Sequence, residues 1–281
     1  MGFHKAIAGK IRAGGKTGRS GFGSSTGGRS RRWAGTIPTA YWRVQGIAAD
    51  ATTLPDVSKA GNDLDGTLAG TVDETGADAT WNTTTTANGS NQSLRFNGTD
   101  NKVTIAYNAK LKPDNSIKKL SISLWIKTDE NSDYLLISEE DAASPTAGWV
   151  YAAIGVGTGN KANVYWNNVV ATGRGWKAST TSVNDNNWHH IVHVYNGDET
   201  NEISIYVDGV LETASAAQSG NLTLNNVPIL LGYRRHTSAN YYKYFMDEIA
   251  YWTDIALTAD QVTDLYNKGK VQNCFAGIRK S

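Results

Sequence analysis

Apolar and polar residues alternate with a period of two through much of the chain after Ser93, in short runs separated by Gly, Asn, Asp and Ser. Such alternation is typical of β-strands that turn one face toward a core. Many short strands at this spacing favour a sandwich of two antiparallel sheets. The pattern predicts strands near 93–97, 102–106, 119–127, 134–138, 149–156, 161–167, 188–195, 203–207, 210–214, 228–232 and 243–252.

The clearest hairpins lie between residues 187 and 213. Trp188–Tyr195 reads WHHIVHVY and Ile203–Val207 reads ISIYV, and the polar loop between them contains an Asn-Gly pair. Asp208-Gly209 then turns the chain into Val210. Because Asp-Gly accepts the positive φ angles of a two-residue turn, it predicts a tight hairpin.

One helix is predicted, over residues 259–268. Thr258 is a suitable N-cap, and Gln261, three residues later, completes a capping box. The helix carries an apolar stripe that we expect to pack on the sandwich. This stripe has i, i+3, i+4 spacing and consists of Val262, Leu265 and Tyr266.

The N-terminal residues follow neither period and are rich in glycine, serine and arginine, so we expect an extended arm that is disordered when free. From Met1 to Gln45 there are nine basic and no acidic residues, whereas the rest has 18 basic and 26 acidic residues, a net charge of −8. A basic arm on an acidic body predicts contact with an anionic or protein surface, and the alternative is a flexible tail without a partner. The arm residues proposed for this contact are Arg12, Lys16, Arg19, Arg29, Arg31, Arg32 and Trp33.

These patterns divide the chain into a basic arm (1–38), one β domain (39–270) and a C-terminal tail (271–281). The single cysteine, Cys274, excludes an intrachain disulfide and argues against a disulfide-stapled secreted scaffold. No segment reads as a signal peptide or a transmembrane helix, so we expect no membrane contact.

Four segments resemble, in the same order, motifs of the laminin-G-like or concanavalin A-like jelly-roll domains. One is Trp188-His189-His190 followed by Tyr206-Val207-Asp208-Gly209. The others are SLRFNGTD at 93–100, LSISLWIK at 120–127, and MDEI at 246–249 with LTADQ at 257–261. The resemblance implies an all-β fold, a two-sheet antiparallel jelly-roll sandwich with one short C-terminal helix, here preceded by the extended arm.

The same resemblance implies a calcium ion. Laminin-G-like domains often hold one with oxygen ligands from an early Asp loop and a closing Asp-Glu pair, and by position Asp56, Asn62 and Asp247 match. Calcium takes six to eight oxygens, so backbone carbonyls and water would complete the shell. In the alternative, Asp56 and Asn62 form turns and Asp247 bonds backbone. Asp63 and Asp65 could substitute in the loop.

Glycan binding would require an exposed aromatic ring with polar neighbours. Trp176, Tyr241 and Tyr242 lie in or beside predicted loops, where binding residues concentrate, and are the candidates. The alternative is that these rings belong to the core, as most aromatic residues of a sandwich do.

The sequence gives only weak evidence for catalytic groups. His189 and His193 share a strand face but lie roughly 13 Å apart, too far for one metal ion, so we expect packing roles. Glycosidases of the jelly-roll class carry Glu-x-Asp-x-Glu on one strand, and this chain has no such motif. It also lacks Gly-x-Ser-x-Gly, Cys-x-x-Cys and a Walker-type loop. The sequence therefore predicts a protein that is not an enzyme.

Two hypotheses follow. In the first, the chain is a structural or attachment protein of a virion, such as a phage capsid decoration protein, whose arm contacts a capsid or other assembly protein or nucleic acid. In the second, it is a carbohydrate-binding or adhesion module, extracellular or on a cell surface. The two are compatible, because a displayed jelly roll can bind surface glycans. The oligomeric state is left open.

Overall fold

The computed structural model describes residues 37–44, 51–58, 64–70, 93–111, 116–131, 134–139, 152–157, 159–167, 174–200, 202–215, 222–223, 227–234 and 240–269. The predicted contact residues of the basic arm, Asn62, and the C-terminal tail from residue 271 lie outside these ranges.

The described residues form nineteen strands and one helix. In chain order they are β1 (Ala40–Trp42), β2 (Thr53–Leu54), β3 (Gly66–Ala69), β4 (Leu94–Asn97), β5 (Lys102–Ile105), β6 (Ser116–Ile117), β7 (Lys119–Lys127), β8 (Tyr134–Glu139), β9 (Ala152–Gly157), β10 (Lys161–Asn167), β11 (Arg174–Ser182), β12 (Trp188–Asn196), β13 (Ile203–Val207), β14 (Val210–Ser215), β15 (Leu222–Thr223), β16 (Ile229–Leu231), β17 (Tyr233–Arg234), β18 (Asn240–Tyr241), β19 (Lys243–Thr253) and α1 (Ala259–Gly269).

The strands form two large antiparallel sheets. The seven-stranded sheet has the order β1-β19-β7-β12-β13-β14, with β4 paired to β19 beside β1. The eight-stranded sheet has the order β11-β10-β9-β8-β16-β5-β3-β2. Two small ladders, β6 with β15 and β17 with β18, complete the described structure. This arrangement confirms the predicted all-β jelly-roll sandwich with one short helix.

The inner faces of the two sheets enclose one hydrophobic core. Alternate residues of each strand point into it, as the period-two pattern predicts. Fully or almost fully buried members include Leu120, Ile122, Leu124, Ile126, Ile191 and Tyr195 from the seven-stranded sheet, and Val103, Ile105, Ile229 and Leu231 from the eight-stranded sheet. Burial of each such side chain contributes about 1.5–3 kcal/mol before the entropic cost of ordering.

The helix begins with the predicted capping box. The Thr258 backbone N–H donates to Gln261 Oε1 at 2.8 Å, and the Gln261 backbone N–H donates to Thr258 Oγ1 at 3.3 Å. Each side chain thereby satisfies a backbone donor that the first helical turn leaves without a partner.

The apolar stripe of α1 covers the outer face of the seven-stranded sheet. Val262 and Leu265 are fully buried in a second hydrophobic cluster on that face. Tyr266 stacks on Trp125 of β7 and His190 of β12, with ring centroids 5.8 Å and 6.2 Å away. Because the core covers their other face, β7 and β12 are buried on both sides along almost their whole length.

The predicted Asp208-Gly209 turn is also present. Asp208 has φ 52° and Gly209 has φ 79°, and the Asp208 backbone N–H donates to the His190 carbonyl at 2.8 Å. A Cβ atom at Gly209 would lie only 3.0 Å from the Tyr266 side chain. Glycine is therefore required here by both its φ angle and the close approach of the helix.

Strand β11 was not among the predicted strands, because RGWKASTTS lacks a clear apolar alternation. Its pairing with β10 and a contact to the opposite sheet hold it in place. Glu212 of β14 accepts hydrogen bonds from the backbone N–H groups of Thr180 and Thr181, both at 3.0 Å. This carboxylate joins the edges of the two sheets, which protects edge strands that would otherwise present unpaired backbone groups.

Two histidines are buried as a consequence of this double coverage. His193 points into the core between Ile122 and Ile205, and within the described structure neither of its ring nitrogens has a hydrogen-bond partner. His190 lies on the helix side, where its Nε2 is 2.8 Å from Ser123 Oγ. Burial lowers the pKa of both histidines to about 3.

These pKa values predict a fold that is sensitive to acid. Below about pH 6.5 the unfolded chain protonates both histidines, whereas the native state keeps them neutral until about pH 3, so stability falls as pH falls through that window. Each proton that only the unfolded state binds costs about 1.4 kcal/mol per pH unit. We therefore expect the free energy of unfolding, measured by urea titration, to drop by about 2.5 kcal/mol between pH 6 and pH 5.

The variant His193→Leu should halve this pH dependence, because it removes one of the two titrating groups while keeping an apolar side chain in the core. His189→Asn is the matched control and should leave the slope nearly unchanged, since that histidine is protonated in both states over this range. An unaltered slope in His193→Leu would show that His193 is not buried as described.

Candidate functional site

Three central strands end at the same level of the sandwich. β7 ends at Lys127, β12 begins at Trp188, and β19 begins at Lys243. Backbone pairing joins Lys127 to Trp188 on one side and to Phe245 on the other. We call this part of the molecule, together with the turns that follow these strands, the Lys127 end.

Hydrogen bonds between neighbouring segments fix the backbone of the Lys127 end. The Tyr242 hydroxyl donates to the carbonyl of Lys127 at 3.1 Å, and the Asn186 backbone N–H donates to the carbonyl of Thr128 at 2.9 Å. The Asn97 side-chain oxygen accepts hydrogen bonds from successive backbone N–H groups of the following turn. The surface is therefore organised before any ligand arrives.

Two tyrosines stack at this end. Tyr233 of β17 and Tyr241 of β18 are paired in backbone register, and their half-buried rings have centroids 4.6 Å apart with a 39° tilt. Lys102 Nζ lies 4.8 Å from the Tyr233 ring centroid. Ser138 Oγ donates to the Tyr233 carbonyl at 3.0 Å and anchors the strand. We call Tyr233 and Tyr241 the tyrosine pair.

Gly232 interrupts the regular alternation of side-chain directions between β16 and Tyr233. Leu231 is part of the core, and Gly232 follows with φ 69°. A Cβ at Gly232 would lie 2.3 Å from the Phe96 ring, so only glycine fits there. In the sequence, the tyrosine pair is indicated only by a short tyrosine-rich segment from Gly232 to Tyr244. Which of its tyrosines pair with each other is seen only in the fold.

Of the three residues predicted to bind a glycan, Tyr242 is the one that the structure contradicts. Its exposed fraction is 0%, and its ring packs edge-on against Phe96 in the core, with centroids 5.7 Å apart. Since successive residues of an extended chain point to opposite sides, Tyr241 and Tyr242 cannot both face a ligand. Tyr241 belongs to the tyrosine pair. Trp176 lies in the edge strand β11, where it pairs with Tyr165 of β10. Strand β11 is four positions away from β16 in the eight-stranded sheet, so the structure does not bring Trp176 next to the tyrosine pair along the sheet. Glycan roles for Tyr241 and Trp176 stay predictions.

Two of the predicted calcium ligands, Asp56 and Asp247, lie within the described residues, and Asn62 lies outside them. The Asp56 carboxylate is 1% exposed and accepts hydrogen bonds from the backbone N–H groups of Tyr41 and Ser58, both at 2.9 Å, and from Ser58 Oγ at 2.8 Å. Burial raises its pKa, against the effect of these hydrogen bonds. Strand β1 lies between Asp56 and the strand that carries Asp247. The calcium site stays a prediction, and Asp56 has the geometry of the turn-forming alternative.

The closing Asp-Glu pair lies at a β-bulge in β19. Asp247 is buried and its Oδ1 accepts the Glu248 backbone N–H at 2.8 Å, while Glu248 itself has φ 51°. The Glu248 carboxylate accepts a hydrogen bond from the Tyr41 hydroxyl and lies 3.6 Å from Arg43 Nε. The bulge thus directs an acidic side chain onto β1, a role that the sequence did not reveal.

His189 sits between two carboxylates. Its Nδ1 is 2.9 Å from Asp208 Oδ2, and its Nε2 is 3.0 Å from Asp185 Oδ1. Burial opposes a positive charge on His189, but the two carboxylates outweigh it and raise the pKa of His189. Asp208 also accepts the His190 backbone N–H at 2.9 Å, so this cluster holds the hairpin turn to the start of β12.

The described ranges contain no group of three or more His, Cys, Asp or Glu side chains arranged to hold a metal ion. Nor does any helix within them have the length and apolar character needed to cross a membrane.

Residues 97–263 match the family model of the concanavalin A-like lectin/glucanases superfamily, and this match spans more than half of the chain. The chain belongs to this superfamily. The family resemblance carried by the four short motifs is thereby confirmed. In sequence, no curated protein matches the chain.

Solved structures share the fold at low sequence identity. The receptor-binding domain of botulinum neurotoxin mosaic serotype C/D has a TM-score of 0.57 and 13% identity, over 82% of this chain and 50% of that one. The ligand-binding domain of botulinum neurotoxin serotype D in complex with N-acetylneuraminic acid has a TM-score of 0.54 and 13% identity, over 82% and 50%. Domain 4 of a GH43 extracellular arabinanase from Geobacillus stearothermophilus, in complex with arabinotriose, has a TM-score of 0.53 and 19% identity, over 81% and 97%. The chain therefore spans about half of the neurotoxin domains and nearly all of the arabinanase domain.

The variant Asp56→Ala separates the two roles considered for Asp56. Without the carboxylate, the buried N–H groups of Tyr41 and Ser58 lose their acceptor, and we expect a loss of about 2–4 kcal/mol in the free energy of unfolding. Because the turn role involves no ion, the loss should be equal in calcium chloride and in EDTA.

Ser58→Ala, which removes only one of these hydrogen bonds, is the matched control and should cost about 1 kcal/mol. A loss for Asp56→Ala that grows in calcium, with a wild-type melting temperature that drops on adding EDTA, would establish Asp56 as an ion ligand instead, since an ion bound only to the folded state must stabilise it.

Proposed function

We propose that this chain is a non-catalytic glycan-binding attachment domain, and that the tyrosine pair forms its sugar platform. The observation that carries the proposal is the half-buried stack of Tyr233 on Tyr241 with Lys102 alongside, at the ordered Lys127 end. Sugars place their apolar C–H faces on aromatic rings and use their hydroxyl groups for hydrogen bonds to nearby polar groups. Two adjoining rings and an amine supply both kinds of contact.

The comparisons support a binding function. The arabinanase domain is matched over 97% of its length and was solved with arabinotriose, so it is the better guide. The neurotoxin domains are matched over about half of their length, and a ligand named for the whole domain need not lie in the shared half. The superfamily also includes glucanases, but this chain lacks the Glu-x-Asp-x-Glu strand that their chemistry requires.

A second, compatible proposal concerns where the domain is carried. The basic segment from Met1 to Gln45 precedes a body with net charge −8, which supports an arm that anchors the domain on a particle. A virion, with the chain as a capsid decoration or accessory protein, fits this division. The alternative is an extracellular or cell-surface adhesion module.

Substitution of the tyrosine pair tests the glycan proposal. We expect the intact chain to give signals on an array of oligosaccharides, and the ligands found there to bind Tyr241→Ala and Tyr233→Ala about tenfold more weakly in calorimetry, which corresponds to about 1.4 kcal/mol. Tyr107→Ala is the matched control, because Tyr107 is an exposed tyrosine outside the pair, with 39% of its surface accessible. An array without signals, or equal losses in all three variants, would refute the platform.

Deletion of the arm tests the anchor proposal. A chain that begins at Ile37 should keep the melting temperature of the intact chain, because every described strand and the helix remain. In pull-downs from particles that contain the protein, we expect the intact chain to retain capsid protein or nucleic acid and the shortened chain to lose it. Equal retention by the two chains would contradict the anchor.

A further inference from the structure

A second aromatic and basic surface lies on the seven-stranded sheet at the Lys127 end. Trp188 of β12, Lys127 of β7, Phe245 of β19 and Arg95 of β4 are consecutive cross-strand neighbours. Directly opposed residues of antiparallel strands share a face, so four strands each contribute one side chain to a single line. We call these four residues the Trp188 row.

The Trp188 row faces away from the core. Trp125 and His190 lie two residues from Lys127 and Trp188 in their strands, and both stack under Tyr266 of the helix. Because residues two apart in a strand share a face, the row continues the outer surface beyond the helix contact. All four of its side chains are half-buried.

The two rings of the row approach each other. The backbones of Trp188 and Phe245 are two strands apart, roughly 10 Å at the usual strand spacing. Their ring centroids are only 6.3 Å apart with a 48° tilt, so the rings lean together across Lys127. A lysine in such a position packs its stem on the rings and presents its ammonium group to solvent.

The electrostatics of the row favour an anion. In the part of the chain that the structure describes, the Lys127 ammonium makes no ion pair. Glu130 of this region pairs with Lys243 at 3.0 Å, and Asp247 Oδ1 accepts the Glu248 backbone N–H, while Asp129 lies exposed two residues after Lys127. Lys127 therefore provides a cation beside two aromatic faces.

We propose that the Trp188 row is a second binding site, specific for saccharides that carry an anionic group. The sugar ring packs on Trp188 and Phe245, and the carboxylate or sulfate lies at the Lys127 ammonium group. The row shares no residue with the tyrosine pair, and it adds a ligand class that the proposed function does not specify. Its neutral aromatic contact gives affinity, and its cation gives the preference for charge.

Calorimetry on the full chain with 3′-sialyllactose, lactose 6-sulfate and lactose tests this site. We expect the two anionic sugars to bind at least about tenfold more tightly than lactose at low salt, and the difference to shrink as ionic strength rises from about 0.05 M to about 0.5 M. Comparison of 3′-sialyllactose, which carries a carboxylate, with lactose 6-sulfate shows which anion is preferred. Lys127→Gln should abolish most of the difference between the anionic sugars and lactose.

Lys119→Gln is the matched control, since it makes the same charge change at the other end of β7, where Lys119 pairs with Asp198 at 3.0 Å. Trp188→Ala removes one ring of the row and should weaken binding of the anionic sugars. Phe245→Leu keeps apolar bulk and should weaken this binding at least fivefold, so it can replace Trp188→Ala if that variant fails to fold. In the Tyr241→Ala background, which removes the proposed platform, the effect of Lys127→Gln should persist.

Three outcomes would overturn the proposal. The anionic preference could survive Lys127→Gln, which would make the lysine a packing residue only. It could fall equally in Lys119→Gln, which would indicate a general charge effect. It could vanish with Tyr241→Ala alone, which would place the anion at the tyrosine pair.

Discussion

The nine-residue antiparallel pairing of β7 with β12 is the contact on which the other parts of the fold depend. Both strands are buried on two sides, by the core on one face and by α1 on the other. β19 pairs with the free edge of β7, and β13 pairs with the free edge of β12. The last residues of the pairing, Lys127 and Trp188, also set the level of the candidate binding surface. A shift in this register would therefore disturb the core, the helix contact and the binding surface together.

The features that the sequence predicted well are those with a local cause. The strands around β7 and β12 follow from period-two alternation, the helix start from the Thr258 and Gln261 capping box, and the hairpin from Asp208-Gly209. Strand β11 was missed because its polar sequence depends on pairing with β10 and on Glu212 from the opposite sheet. Its conformation depends on tertiary contacts, so its own local sequence does not predict it.

The candidate site shows the same division. Tyr241 was predicted from its place beside a loop, but its partners Tyr233 and Lys102 come from other segments, and only the sheet topology joins them. The error at Tyr242 has a local cause that the sequence did contain, because adjacent tyrosines in extended chain must diverge. Trp188 and Phe245 were visible as strand residues, yet their approach across Lys127 depends on the register of three strands.

Three acidic side chains of the described structure support the scaffold. Asp208 supports the hairpin through His189 and the His190 backbone, Glu248 contacts Tyr41 and Arg43 at the bulge, and Glu212 ties the sheet edges. Each of these carboxylates already accepts hydrogen bonds from the scaffold, so its charge stabilises a turn, a bulge or an edge. Glycoside hydrolysis instead needs two carboxylates directed at one bond with space for a sugar between them. The groups that the two proposals use at the Lys127 end are aromatic rings and amines, which bind a ligand by stacking and by charge.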